Sequence, residues 1–470
     1  MRFHTWLVLA LNLAFLLHPS FAAPAAPKLP ETFDVPAIDA WLAAQMKQPG
    51  RVGLSVALVK DGHVVLAQGY GKRSLADGRP VLPDTLFAIG SVSKQFTCAC
   101  IFLLAEEGEL SVNDPVSKYF PNLTRAKDIT LLDLMNHTAG YPDYYPLDFV
   151  DRRMLQPIEA DELLRQYAGG KLDFDPGTRS SYSNTGFILL GRVVEKVSGE
   201  DFGAFLTRRI FKPVGMEHTV YDPPSSDARL AQGYTTFALS EPEQIAREGK
   251  GWAGAAGAIY STPSDLAKWD FALLDGRVLK PESFALMTRP RPLADGRLSD
   301  YACGLVVRPQ GRRQVLTHGG AVSGFATSST LIPSTRSAVI MTCNLDGGLG
   351  PLPGQLLALL MKEASNVPAI SAPSAAETVQ AVLAQFQSGK LKREQFGEEF
   401  NHFLTAEKLT GATRRLKSYG KPQSAEMTSR NERGGMEVTH TRLVFKSGVL
   451  SALMYRQPGG LIEQIFFSKD

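Results

Sequence analysis

Cysteine is scarce: four in 470 residues, too few for a disulfide scaffold to hold a chain of this length. An excess of charge of one sign is missing as well. Fifty Lys and Arg stand against 47 Asp and Glu, a net of +3. No Lys/Arg run supplies the concentrated basic surface that phosphate binding needs, so a nucleic-acid partner is excluded. Past the N-terminus, no uncharged apolar stretch approaches the ~20 residues of a membrane span. Zinc-ligand spacings are absent too: there is no CxxC, no HxxxH and no HxHxD, and neither a metal nor any other cofactor is expected. Nor does the G-x-S-x-G elbow of the α/β-hydrolases occur. Gly (42) and Pro (30) are near background, which rules out collagen-like and disordered chains. What remains is ordinary globular composition, 44% hydrophobic and 21% charged.

The first residues read as an address. Arg2 gives a basic start, Trp6 to Leu17 is apolar apart from Asn12, and Ser20-Phe21-Ala22 offers small residues at a cleavage site. A signal peptide over residues 1–22 is therefore expected. With it come a periplasmic or secreted location and no stable membrane insertion after cleavage. Export permits disulfides, but Cys98 and Cys100 cannot bridge on one helix. All four cysteines, Cys303 and Cys343 included, are expected to be small buried hydrophobes.

Strand signals flank a helical middle. Val52–Val59 and Val64–Tyr70 surround an Asp61-Gly62 turn. Helices are expected near 38–48, 93–107, 131–135, 185–197, 202–210 and 263–274. Strands return at 303–309, 313–318, 323–333 and 336–344, followed by a helix at 352–363. The expected fold class is α/β (α+β): an antiparallel sheet flanked by helices, closed by the first and last thirds of residues 31–363 and carrying an all-helical insert. A groove between sheet and insert is the natural site. Ser365, Pro368, Ser371, Pro373 and Ser374 suggest a linker over 364–378. Residues 379–470 then form a small α+β domain, with helices at 379–387, 393–403 and 405–417 before strands near 424–429, 437–445, 451–456 and 462–467. Its lone His402 and His440 are expected to be structural.

Three clusters carry chemistry. In Ser91-Val92-Ser93-Lys94 a helix starting at Ser91 places Lys94 one turn on, where a neutral amine could accept the Ser hydroxyl proton. Alone, an N-cap followed by a surface Lys is the commoner explanation. In Tyr182-Ser183-Asn184, Tyr182 and Asn184 project to one side of an extended loop. Tyr182 could relay a proton and Asn184 could bind an amide or Lys94; alone, this is a polar turn leading into a helix. In His318-Gly319-Gly320-Ala321 the glycines let another backbone or a substrate approach, and His318 could steady a substrate carboxylate or the Tyr182 proton, supplying positive charge when protonated. A lone His is more often structural.

Their order and spacing resemble the serine β-lactamase and penicillin-binding-protein superfamily, in which S-x-x-K is followed by a second polar motif and then by a basic residue with Gly. Tyr182-Ser183-Asn184 places the likeness in the branch of class C β-lactamases, DD-peptidases, D-aminopeptidases and family VIII esterases. Leu131–Tyr141, Pro176-Gly177 and Gly257–Leu266 fit the same branch. The resemblance covers about residues 35 to 360 and implies an exported serine hydrolase that works through an acyl-enzyme. By that likeness Ser91 is the nucleophile, Lys94 its base and Tyr182 the second proton relay. Asn184, His318, Gly319, Gly320 and Ala321 contact the substrate, and the backbone N–H groups of Ser91 and Ala321 form the oxyanion hole. The implied partner is a small-molecule ester, amide or β-lactam, or a cell-wall peptide. Where the family carries a hydroxyl residue in the third motif this chain has Gly319, which shifts the expectation from carboxylate-bearing β-lactams and D-Ala-D-Ala toward esters and other amides. The alternative is a non-catalytic penicillin-binding-like receptor or scaffold.

Overall fold

A computed structural model describes residues 27–145, 150–238, 240–311, 313–362, 368 and 370–469. The expected signal peptide lies outside the described residues. The chain divides into two compact units, one ending at Met361 and the other beginning at Lys362.

The first unit opens with α1 (Val35–Gln45), whose first turn is capped by the Asp34 carboxylate. The hairpin β1 (Gly53–Lys60) and β2 (His63–Gly71) follows. Its two-residue turn needs two left-handed positions, met by Asp61 (φ 52°) and Gly62 (φ 82°). A small sheet is built from β3 (Phe87–Ala88), β4 (Val220–Tyr221) and β7 (Ile259–Ser261), in the order β3-β7-β4, and β5 (Tyr234–Thr235) pairs with β6 (Glu243–Gln244). The main sheet is completed by β8 (Val306–Gln310), β9 (Arg313–Val322), β10 (Phe325–Ile332) and β11 (Ser337–Cys343), giving the order β2-β1-β11-β10-β9-β8. All its pairings are antiparallel, and β1 docks beside β11 with Leu54 opposite Cys343. The first and last thirds thus close one sheet.

The helices of this unit beyond α1 are α2 (Ser93–Glu106), α3 (Leu131–Met135), α4 (Ala160–Tyr167), α5 (Asn184–Ser198), α6 (Phe202–Leu206), α7 (Lys212–Val214), α8 (Gly254–Gly257), α9 (Pro263–Leu274), α10 (Pro281–Met287) and α11 (Leu352–Met361). Strand alternation sorts them into two layers. Leu54, Val56 and Leu58 of β1 face Ile38, Trp41 and Leu42 of α1 and Leu356 and Leu359 of α11. Ala57 and Val59 face the opposite core, shared with α2, α5 and α9. Both faces of β1 are covered, so its sequence is apolar without a break.

Four expectations need correction. The strand expected from Cys303 starts at Val306, because Gly304 turns the chain at φ 73°. The strand expected to stop at His318 runs on to Val322, so its glycines stand mid-strand. The turn comes later, where Gly324 takes φ 75°, so the next strand starts at Phe325 rather than Ser323. The helix expected over 202–210 passes at Thr207 into a wide π turn ending at Phe211. All four cysteines are free and buried.

In the second unit α12 (Ala375–Ser388), α13 (Glu398–Phe403) and α14 (Ala406–Lys417) accompany a four-stranded antiparallel sheet. Its strands are β12 (Ser424–Arg433), β13 (Met436–Phe445), β14 (Gly448–Arg456) and β15 (Ile462–Lys469), in that spatial order. Val379, Val382, Leu383 and Phe386 of α12 pack on Leu443, Leu450, Met454 and Ile465. The end of the expected linker is helical. Ser374 caps α12 in a reciprocal capping box with Glu377, so the Ser/Pro pattern there marks a helix start. Residues 364–367 and 369 of that segment lie outside the described residues.

Candidate active site

The site grows from the end of β3. Gly90, Ser91 and Val92 form a tight 3-10 turn that runs into α2, so the helix proper starts at Ser93, as the 93–107 pattern has it, and not at Ser91. Lys94 still lands one turn beyond Ser91. Its side chain is fully buried, and its Nζ lies 2.9 Å from Ser91 Oγ, 2.8 Å from Asn184 Oδ1 and 2.9 Å from the Ala256 carbonyl oxygen. Burial in this wall disfavours the ammonium and pushes its titration down to about 7, partly opposed by the Asp143 carboxylate.

Asn184 is the first residue of α5. Its backbone N–H donates to Asp143 Oδ1 at 3.0 Å, and its side-chain amide N–H groups donate to the same carboxylate at 3.2 and 3.3 Å. That clamp turns the amide oxygen toward Lys94. Tyr182 enters from the preceding loop. Removal of its hydroxyl from water pushes the phenol well above its ordinary range, with the neighbouring Ser91 side chain acting in the opposite direction. Its ring lies 4.2 Å from the His137 ring. His137 holds a left-handed conformation (φ 57°), and its Nδ1 accepts the Ser183 N–H at 3.1 Å. One imidazole thus braces both Tyr182 and the loop that carries it.

The opposite wall is β9. A Cβ on Gly320 would overlap the Ile89 carbonyl oxygen and stand 2.9 Å from its carbon, while one on Gly90 would stand 2.8 Å from the Ala321 nitrogen. These two glycines let β9 lie against the Ser91 turn and bring the Ala321 amide beside Ser91. Gly319 differs: its Cβ would meet nothing nearer than the Thr327 carbonyl oxygen at 3.9 Å.

His318 is not the cation it was expected to become. It is buried, and desolvation together with the Lys94 charge pushes its titration down to about 4. Both ring nitrogens are engaged. Nδ1–H donates to the Gly319 carbonyl at 2.5 Å, and Nε2 accepts from the Tyr301 hydroxyl at 2.9 Å. This is the tautomer the carbonyl contact requires.

Ser91, Tyr182, Asn184, His318, Gly319, Gly320 and Ala321 all line one cleft of about 760 Å³, with Lys94 beneath it. Among its described lining residues are Asp143 and Asp346 but no Arg or Lys. Asp143, His137 and Tyr301 are the parts that sequence reasoning missed. His137 lay inside the Leu131–Tyr141 phrase without a role, while Asp143 and Tyr301 had no local signal. Among the described residues, no three His, Cys, Asp or Glu side chains gather as a metal site would require.

The family model described as Beta-lactamase matches residues 38–360. Penicillin-binding protein 4* of Bacillus subtilis is 29% identical over 308 residues, 62% of this chain and 67% of that protein. A D-aminopeptidase of Brucella anthropi is 29% identical over 353 residues, 73% of this chain and 66% of that protein. The chain thus spans about two thirds of these relatives' length. Among solved structures, D-amino acid amidase from Ochrobactrum anthropi SV3 with L-phenylalanine amide aligns at TM-score 0.57 and 27% identity, over 66% of this chain and 94% of that one. The octameric penicillin-binding protein homologue from Pyrococcus abyssi shares the fold at TM-score 0.61 and 21% identity, over 93% of this chain and 97% of that one. With the motifs in order and the match covering most of the first unit, the chain belongs to the beta-lactamase family of serine hydrolases.

Proposed function

We propose that this chain is an exported serine hydrolase, periplasmic or secreted, that forms an acyl-enzyme on Ser91 with esters or amides whose recognised half carries no carboxylate. The observation that carries the chemistry is the Lys94–Ser91 hydrogen bond of 2.9 Å, made by an amine held near neutrality. A lysine in that state accepts the hydroxyl proton as Oγ attacks the substrate carbonyl. Tyr182 stays protonated at neutral pH, so it acts as a relay and not as the base. In this mechanism the developing oxyanion sits between the backbone N–H groups of Ser91 and Ala321. As the tetrahedral intermediate collapses, the proton held on Lys94 reaches the leaving group by way of the Tyr182 hydroxyl. Water then attacks the ester, the relay runs in reverse, and Ser91 regains its proton.

The substrate reading rests on charge. A carboxylate finds no cation among the described lining residues: Gly319 has no side chain, His318 is neutral with both nitrogens engaged, and the charged lining residues are Asp143 and Asp346. A charge-assisted hydrogen bond missing from such a site costs about 1.5–3 kcal/mol. The relatives named D-aminopeptidase and D-amino acid amidase support an amide with a free amine ahead of a β-lactam. Labelling by a fluorophosphonate probe that disappears in Ser91→Ala tests the nucleophile and separates an enzyme from a receptor. Side-by-side kcat/KM values on p-nitrophenyl butyrate, D-alanine p-nitroanilide, a D-Ala-D-Ala peptide and nitrocefin test the substrate class. The first two are expected to exceed the last two, and a wide margin for nitrocefin or the peptide would refute the charge reasoning.

A further inference from the structure

The second unit contains a cavity that the hydrolase chemistry does not use. It measures about 650 Å³ and lies between α13 and α14 on one side and β14 and β15 on the other, walled by Phe400, Phe403, Leu416, Tyr419 and Phe466. It is open to solvent on one side and has the size of a small-molecule site. Leu409, Ala412 and Leu416 give α14 an apolar stripe at helical spacing, half-buried against the core of the unit, and Ala412 and Leu416 also line the cavity. Phe403 and Phe466 stand 6.1 Å apart, 44% and 46% exposed.

Charge at the cavity has one sign. Lys408, Arg415 and Lys469 line it, and no Asp or Glu is among its described lining residues. Among the described residues none of the three forms an ion pair. Arg415 lies in the last turn of α14, where a cation complements the helix dipole. Lys408 is different. It is the third residue of α14, where a cation opposes the dipole, and its Nζ sits 3.8 Å from the Phe403 ring centroid. Lys469, on β15, gains nothing from a helix end.

An apolar chamber with cations and no acid complements a molecule that is apolar along its length and anionic at one end. We propose that this cavity binds a free fatty carboxylate, its chain against Phe400, Leu416 and Phe466 and its head group at Lys408 and Arg415. The site lies within the second unit and does not depend on the reading of Ser91.

The test is isothermal titration of the full chain with dodecanoate, with dodecan-1-ol as the uncharged control. Two variants are titrated alongside: the exposed double charge reversal Lys408→Glu/Arg415→Glu, and Ala412→Trp, which fills the chamber from α14. Circular dichroism establishes that each is folded, and either folded variant suffices. Dodecanoate is expected to bind the wild type, and the charge reversal to weaken it about tenfold or more, the loss of one charge-assisted hydrogen bond. Ala412→Trp is expected to abolish binding, and the alcohol to bind more weakly than the acid. Four results would each overturn the proposal: no binding of dodecanoate at millimolar concentration, equal binding of acid and alcohol, binding unchanged in a folded variant, or a cavity occupied by a second copy of the chain, seen as concentration-dependent dimerisation that Ala412→Trp abolishes.

Discussion

Two adjacent glycines on β9 offer a sharp test, because the structure assigns them opposite costs. In Gly320→Ala the new methyl meets backbone: the Ile89 carbonyl oxygen in outright overlap, its carbon at 2.9 Å and the Ser91 nitrogen at 3.3 Å. Side-chain carbons essentially never come within 3.0 Å of such atoms, so β9 must withdraw from the Ser91 turn by on the order of 1 Å, a misplacement that costs about 10²-fold in rate. That withdrawal separates the Ala321 and Ser91 amides, and losing one oxyanion donor costs about 10²–10³-fold in kcat. In Gly319→Ala the nearest atom is 3.9 Å away, so kcat/KM should stay within about threefold of wild type, as for a substitution without steric conflict. The assay is kcat/KM on p-nitrophenyl butyrate together with the rate of fluorophosphonate labelling, with Tm measured to separate unfolding from misplacement. Equal losses at the two positions, or full activity in a folded Gly320→Ala protein, would refute the placement of Ala321 in the oxyanion hole.

Because the neutral amine of Lys94 is the acting form, the acylation rate should rise with pH through about 7 and level off above it. The Asp143 carboxylate holds that titration up, so Asp143→Asn should move the acid limb of the pH profile downward; an upward shift would refute the coupling. Gly319→Ser has the room for its side chain and restores a hydroxyl to the third motif, so its kcat/KM on nitrocefin should rise relative to that on the butyrate ester; an unchanged ratio would refute the carboxylate reasoning. Asp270 is buried and pushed up from 3.8 to about 7, so the folded state binds its proton more tightly than the unfolded chain does. Stability from this group is complete below its unfolded value and is lost as pH rises to about 7, up to about 4 kcal/mol in all. Asp270→Asn should therefore raise Tm at about pH 8 and leave it nearly unchanged at about pH 4.

The architecture was legible where periodicity and turn chemistry agreed. Asp61-Gly62 between two apolar runs marks a hairpin because few residue pairs accept two left-handed positions, and Thr262-Pro263 marks the start of α9 because a Thr cap followed by proline suits only a first turn. Local signals failed where long-range packing decided. Gly319 and Gly320 read as the end of a strand, yet β9 continues, since the approach of the Ser91 turn needs the absence of side chains and not a change of direction. Ser374 read as part of a linker because a Ser among Pro and Ala is ambiguous until the reciprocal bond with Glu377 is seen.

The site divides along the same line. Ser91 and Lys94 are one helical turn apart, and Tyr182 and Asn184 are two residues apart; neither spacing is diagnostic alone, and their order along the chain is what marks them. What sets their chemistry comes from elsewhere in the chain. Asp143 orients Asn184 from 41 positions away, and Ala256 offers its carbonyl to Lys94 from 162 positions away. The titration of Lys94 near 7 follows from burial, with Asp143 opposing, and no short motif encodes either. His318 shows the same from the other direction. Its sequence neighbourhood suggests an available cation, but Tyr301, 17 positions earlier, occupies one ring nitrogen, and burial with the Lys94 charge removes the proton at neutral pH. The motif therefore places groups able to carry out acyl transfer, and their protonation states are set by walls that converge only when β9, α2 and α5 pack together.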